Sequence, residues 1–157
     1  MAVRVQREEF DAAAEVRTLV DGRTDVGGAV TFTGFVRGEA QGKQLLTLTL
    51  EHYPGMTEME LQRIEDEARA RFELTASLIV HRFGELKPGD PIVLVATASA
   101  HRAAAFQAAE FLMDYLKSRA PFWKKESFAD GSESWVDAHA SDCDALGRWD
   151  GPGLTQK

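Results

Sequence analysis

The stretch SAHRAAAFQAAEFLMDYLKSRAPFWKKE, residues 99–126, concentrates the side chains best suited to chemistry. Ser99 is a favourable N-cap residue, which places His101 and Arg102 in the first turn of a helix. Free backbone N–H groups and the positive end of the helix dipole favour an anion there, so this end suits a phosphate or carboxylate. Phe106, Ala109, Leu112, Met113 and Leu116 recur at helical spacing as the buried stripe, and Lys117 falls half buried at its border. Pro121 pushes Ala120 out of helical geometry and stops the helix. Phe122, Trp123, Lys124, Lys125 and Glu126 then continue as an extended segment able to fold back toward Lys117, bringing two lysines into one pocket. Each feature alone has a plain structural explanation, such as helix-end solvation for His101 and Arg102 or a snorkelling ammonium for Lys117. Taken together, so many cations beside aromatic surface in an acidic chain favour a functional site.

The rest of the chain must position these groups. Its 157 residues, 44% hydrophobic and 9% aromatic, suit one domain with a sizeable core. A formal net charge of −7 argues against general affinity for nucleic acid or anionic membrane, which makes the cationic cluster a local exception. The single cysteine, Cys143, allows no internal disulfide and shows no sign of thiolate activation, so a reducing cytoplasm fits. The opening MAVRVQREEF lacks the apolar run of a secretory signal, and no apolar stretch approaches the ~20 residues of a membrane span. A soluble, cytoplasmic protein is expected.

In chain order, residues 2–6 predict a short edge strand, and residues 8–20 a helix with Phe10, Ala13, Val16 and Val20 on one face. AVTFTGFVR alternates as a half-buried strand, with Val30 and Phe32 inward and Arg37 at its end. The small polar residues 38–44 predict a mobile loop, after which LLTLTLEHY resumes as the second strand of a hairpin with the first. Tyr53 to Met56 form a turn, and Thr57 with Glu60 resembles a capping box opening a helix through Phe72, with Leu61, Ile64, Ala68 and Phe72 on its inner face. Residues 78–83 and 91–98 read as adjacent core strands joined through the turn at 87–90. His81 lies in the first and is read as a histidine satisfied by its strand neighbours. Residues 122–126 and 134–136 predict two short strands. Residues 1–147 make one domain, and 148–157 a polar, flexible tail. Repeats, Cys/His metal spacing, phosphate-cradling glycine loops and a serine-nucleophile elbow are all missing from the sequence.

Taken in order, GAVTFTGFVR, LTLEHYPGMTEMEL, HRFGELKPGD, SAHRAAAF and FLMDYLKSRAPFWKKE resemble the large catalytic subunit of molybdopterin synthase, the MoaE family, over roughly residues 28–137. The resemblance implies an α+β domain of the α/β-hammerhead type. It implies a homodimer at the core of a heterotetramer, each subunit binding a small ubiquitin-like, MoaD-like partner whose C-terminal Gly-Gly carries a thiocarboxylate. Sulfur from that tail is transferred twice to cyclic pyranopterin monophosphate, precursor Z, giving the dithiolene of molybdopterin. The matching functional positions are Arg37, His101, Arg102, Lys117, Lys124, Lys125 and Glu126, with Lys117 and Lys124 catalytic, and no metal or organic cofactor is implied.

The residues suit these roles. Guanidinium forks grip phosphate oxygens, and Lys117 or Lys124 can exchange protons as sulfur adds and oxygen leaves, or neutralise the thiocarboxylate. His139 stands where the family often has a basic residue, and a histidine there makes any substrate contact pH-dependent. The competing reading is a non-catalytic anion-binding or scaffold module of the same fold. Two converging lysines favour the enzyme, because a binding module has more use for arginines.

Overall fold

The computed structural model describes residues 3–136 and 145–150. In order, its elements are β1 (Val3–Gln6), α1 (Ala12–Val20), β2 (Gly28–Phe35), β3 (Glu39–Ala40), β4 (Lys43–His52), α2 (Met56–Phe72), β5 (Ala76–Arg82), β6 (Gly84–Leu86), β7 (Pro91–Ser99), α3 (Arg102–Ser118), β8 (Phe122–Phe128) and β9 (Glu133–Val136), with a 3₁₀ turn at Arg148–Asp150. The result is an α+β domain with mostly antiparallel strands, β1 and β5 forming the parallel exception.

The continuous apolar runs of β5 and β7 reflect burial on both faces. These strands pair antiparallel at the centre of a four-stranded sheet ordered β1-β5-β7-β2. On one face Ile79, Val93 and Val95 meet Leu61, Ile64, Ala68 and Phe72 of α2 and Ala108, Phe111 and Leu112 of α3. Leu78, Val80, Leu94 and Ala96 face the other way, against Phe10, Ala12, Val16 and Leu19. Each fully buried Leu, Ile or Phe side chain here stabilises the fold by about 1.5–3 kcal/mol. The inner face predicted for α2 is the observed one. The face of α1 differs, with Ala12 and Leu19 packed and Ala13 exposed, and the helix starts later than expected, at an Asp11 cap whose carboxylate accepts from the Ala14 N–H at 3.1 Å.

A second sheet, ordered β3-β4-β8-β9 with β6 also on β4, surrounds Val36, Leu45, Leu48, Leu50, Leu86 and Phe128. The expected hairpin between β2 and β4 does not form. Strand β2 pairs with β7, and β4 with β6 and β8. Period-two alternation marks a strand but carries no information about its neighbour. Nor are residues 38–44 a plain loop. β3 and β4 form a tight hairpin whose turn residues Gln41 and Gly42 both have positive φ, 53° and 73°, as a two-residue primed turn requires.

Two caps also differ from expectation. Gly55, at φ 85°, is the N-cap of α2, and Glu58 accepts from its N–H at 2.6 Å. Thr57 sits inside the first turn, its hydroxyl donating to the Tyr53 carbonyl at 2.8 Å. Ser99 does not cap α3. It is the buried last residue of β7, and His101 is the N-cap. Gly27 packs so tightly on this corner that a Cβ would lie 2.0 Å from the Ala100 carbonyl oxygen.

Trp149 falls inside the stretch 148–157 read as a tail, yet it is buried. Its ring meets Phe72 at 5.7 Å and Phe111 at 5.5 Å, and Nε1–H donates to Asp114 at 2.6 Å. His139 and Cys143 lie outside the described residues.

Candidate active site

A cavity of about 310 Å³ opens where the two sheets meet, at the C-terminal end of α3. Four elements bring its charged groups together. Arg37 follows β2, Glu39 belongs to β3, Lys117 stands on the last turn of α3, and Lys124 and Glu126 project from β8. The helix stop before Pro121 reverses the chain, so β8 runs back past the end of the helix. Its alternation then sorts the side chains. Phe122, Lys124 and Glu126 share the cavity face with Val136 of β9, whose register partner is Lys124.

Lys117 and Lys124 therefore do line one pocket. Lys117 is exposed rather than half buried, whereas Lys124 is partly covered. The negative end of the α3 dipole favours the Lys117 ammonium. On the opposite wall Gln41, at the tip of the β3-β4 turn, donates to Glu126 at 3.1 Å and holds that hairpin over β8. Phe35 contributes an aromatic rim beside Arg37.

The remaining predicted positions lie elsewhere. Lys125 is on the other face of β8, its ammonium 3.8 Å from the Glu133 carboxylate and 5.9 Å from the Trp135 ring centre. His101 and Arg102 are exposed at the far end of the 17-residue α3, about 24 Å from Lys117 at ~1.5 Å per residue. Phe106, expected in the buried stripe, is 61% exposed; Ala105, Ala108, Phe111 and Tyr115 take the inner positions.

His81 belongs to the cavity wall, a position missed from sequence. Its ring stacks on Phe122 with centroids 3.8 Å apart and planes at 16°. Burial, and then the charges of Lys124 and Lys117, push its pKa down to about 3, outweighing the hydrogen bond to the Arg82 carbonyl, which raises it. The signal available beforehand was a titratable ring directly after the apolar run Leu78–Val80 of a core strand. Gln41 left less trace, because its contact depends on the hairpin.

The cavity thus offers cations to an anionic ligand, aromatic faces to a flat ring, and two lysines from different elements for proton exchange or charge neutralisation. Among the described residues no group of three or more His, Cys, Asp or Glu side chains is placed to hold a metal ion. No helix among them is long and apolar enough to cross a membrane.

Comparison with known proteins identifies the family and fold that carry this cavity. A family model described as MoaE protein matches residues 5–119. The molybdopterin synthase catalytic subunit of Mesorhizobium japonicum is 57% identical over 148 residues, covering 94% of this chain and 92% of that protein. The crystal structure of molybdopterin synthase from Staphylococcus aureus superposes with a TM-score of 0.80 at 31% identity, covering 87% of this chain and 98% of its own. Molybdopterin cofactor biosynthesis protein E from Burkholderia multivorans superposes with a TM-score of 0.80 at 48% identity, covering 95% and 96%.

Proposed function

The chain belongs to the MoaE protein family, and from that premise we propose that it works as the catalytic subunit of a molybdopterin synthase, a sulfurtransferase of molybdenum cofactor biosynthesis. Its donor is the thiocarboxylated C-terminus of a small, ubiquitin-like, MoaD-like partner. The acceptor is precursor Z, and the product carries the dithiolene of molybdopterin. The observation that carries the reading is the meeting of Lys117 and Lys124, from the end of α3 and from β8, in one cavity with Arg37.

In this reading the partner's tail enters extended and ends near Lys117. Glycines suit such a channel because the backbone itself can approach the walls. Lys117 and Lys124 neutralise the thiocarboxylate and exchange protons as sulfur adds and oxygen leaves. Arg37 holds the anionic substrate, and the Gln41–Glu126 bond keeps the hairpin wall in place. Lys125, facing Glu133 and Trp135, supports the strand from behind. His101 and Arg102 serve the substrate of a neighbouring subunit in a homodimer, and two partner chains complete a heterotetramer. A cytoplasmic setting suits the single cysteine and a reactive thiocarboxylate.

Reconstitution with precursor Z and thiocarboxylated partner tests this. Lys117→Ala and Lys124→Ala should each lower dithiolene formation at least a hundredfold while partner binding and thermal unfolding stay near wild type. Near wild-type turnover in both variants would exclude the catalytic assignment. Absence of turnover in the unaltered protein would favour a scaffold.

A further inference from the structure

The proposed roles leave Glu39, Ser118 and His81 of the cavity unused, and of these three only His81 is buried. His81 is 5% exposed within β5, yet it lines the cavity. Its Nδ1 lies 2.8 Å from the Arg82 carbonyl oxygen. A carbonyl only accepts, so Nδ1 carries the proton, and Nε2 of the neutral ring keeps its lone pair as an acceptor. Among the described residues no buried side-chain nitrogen or oxygen lacks a partner, and the hydrogen bond of this ring is at Nδ1. Nε2 must therefore open on the cavity. The Phe122 stack fixes the plane of the ring before any ligand arrives.

That acceptor stands among donors. Arg37, Lys117 and Lys124 can only donate, Glu126 already accepts from Gln41 at 3.1 Å, and the Glu39 carboxylate on β3 is exposed to water, which leaves His81 as the buried acceptor. A ligand N–H entering this space loses water, and leaving it unpaired is costly. We propose that His81 is a ligand-binding residue whose Nε2 accepts a hydrogen bond from an N–H group of the molecule seated at the lysine end of the cavity. The inference rests on the function proposed above, which brings two N–H donors to this place: a backbone amide of the partner's Gly-Gly tail and the ring or amino N–H groups of the pterin. Because the buried ring stays neutral, it adds no third cation beside the lysines and takes no proton from the reacting groups.

Two substitutions separate this role from a structural one. His81→Asn keeps an N–H near the Nδ1 position but falls short of Nε2. His81→Gln reaches the Nε2 position with an amide oxygen and gives up the Nδ1 donor. Titration calorimetry of each variant, with the unmodified Gly-Gly partner alone and with precursor Z alone, identifies which ligand donates. The expected result is an affinity about tenfold weaker for at least one ligand in His81→Asn, largely recovered in His81→Gln, although thermal unfolding favours the asparagine variant. Wild-type affinity for both ligands in His81→Asn, or a glutamine variant no better than the asparagine one, would overturn the inference. In either case the loss of turnover in Lys117→Ala would still uphold sulfur transfer. Failure of the unaltered protein to bind either ligand would remove the proposed function and this inference with it.

Discussion

Lys124 and Lys125 are neighbours with opposite surroundings. One lies on the cavity face of β8 and the other against Trp135 and Glu133. A pair of adjacent lysines cannot reveal which points inward until the strand's register is known. His81 illustrates a second property of single residues, since its environment rather than its type sets its charge. The folded pKa, about 3, lies below the ordinary 6.5, so between these values the unfolded chain binds a proton that the folded chain refuses. The stability owed to this difference is complete above about pH 6.5 and is lost as pH falls toward 3, with a slope near 1.4 kcal/mol per pH unit. Urea unfolding between pH 6 and pH 4 should show the wild type losing stability more steeply than His81→Asn by about that slope. Parallel curves would mean that the ring is not held neutral.

Elements depend on ends and partners more than on their interiors. The inner face of α2 follows from periodicity alone, but its start depends on Gly55, where only a residue tolerant of positive φ fits easily, and on Glu58. At α3 the strand β7 runs through Ser99, so the residue best suited to cap a helix is already committed to a sheet. The last described segment matters in the same way. Trp149 fills the space between Phe72 and Phe111 and bonds Asp114. Trp149→Ala should cost about 3–5 kcal/mol through the cavity it leaves, read from denaturant midpoints. A loss below about 1 kcal/mol would show that the segment adds little to the core.

At the scale of the whole molecule, the separation of the two cationic ends of α3 is decisive. His101 and Arg102 cannot reach the cavity that Lys117 lines, about 24 Å along the same helix. A two-fold dimer with reversed ends side by side would unite them twice. Exposed apolar surface supports such pairing, since Phe32 and Phe35 on the outer strand β2 are 43% and 58% exposed and Phe106 on α3 is 61% exposed. Mixing inactive Arg102→Ala with inactive Lys117→Ala under subunit exchange should restore up to about a quarter of wild-type activity, because one site of each mixed dimer carries both intact halves. No recovery despite demonstrated exchange would confine the site to one chain.

Alternation, helical spacing and turn residues are local properties, so the chain alone specifies the core strands β5 and β7, the inner face of α2, the stop before Pro121 and the ordered motifs of the family. The approach of Lys124 to Lys117 was legible for the same reason, because a helix stop followed directly by an extended run leaves few paths for the chain. The partners of β2 and β4, the split between Lys124 and Lys125, the stacking of His81 on Phe122 and the burial of Trp149 were not legible. Each joins groups distant in sequence, and such pairings are selected by the packing of the whole domain, in which many locally acceptable arrangements compete and only one buries the apolar faces with their hydrogen bonds satisfied.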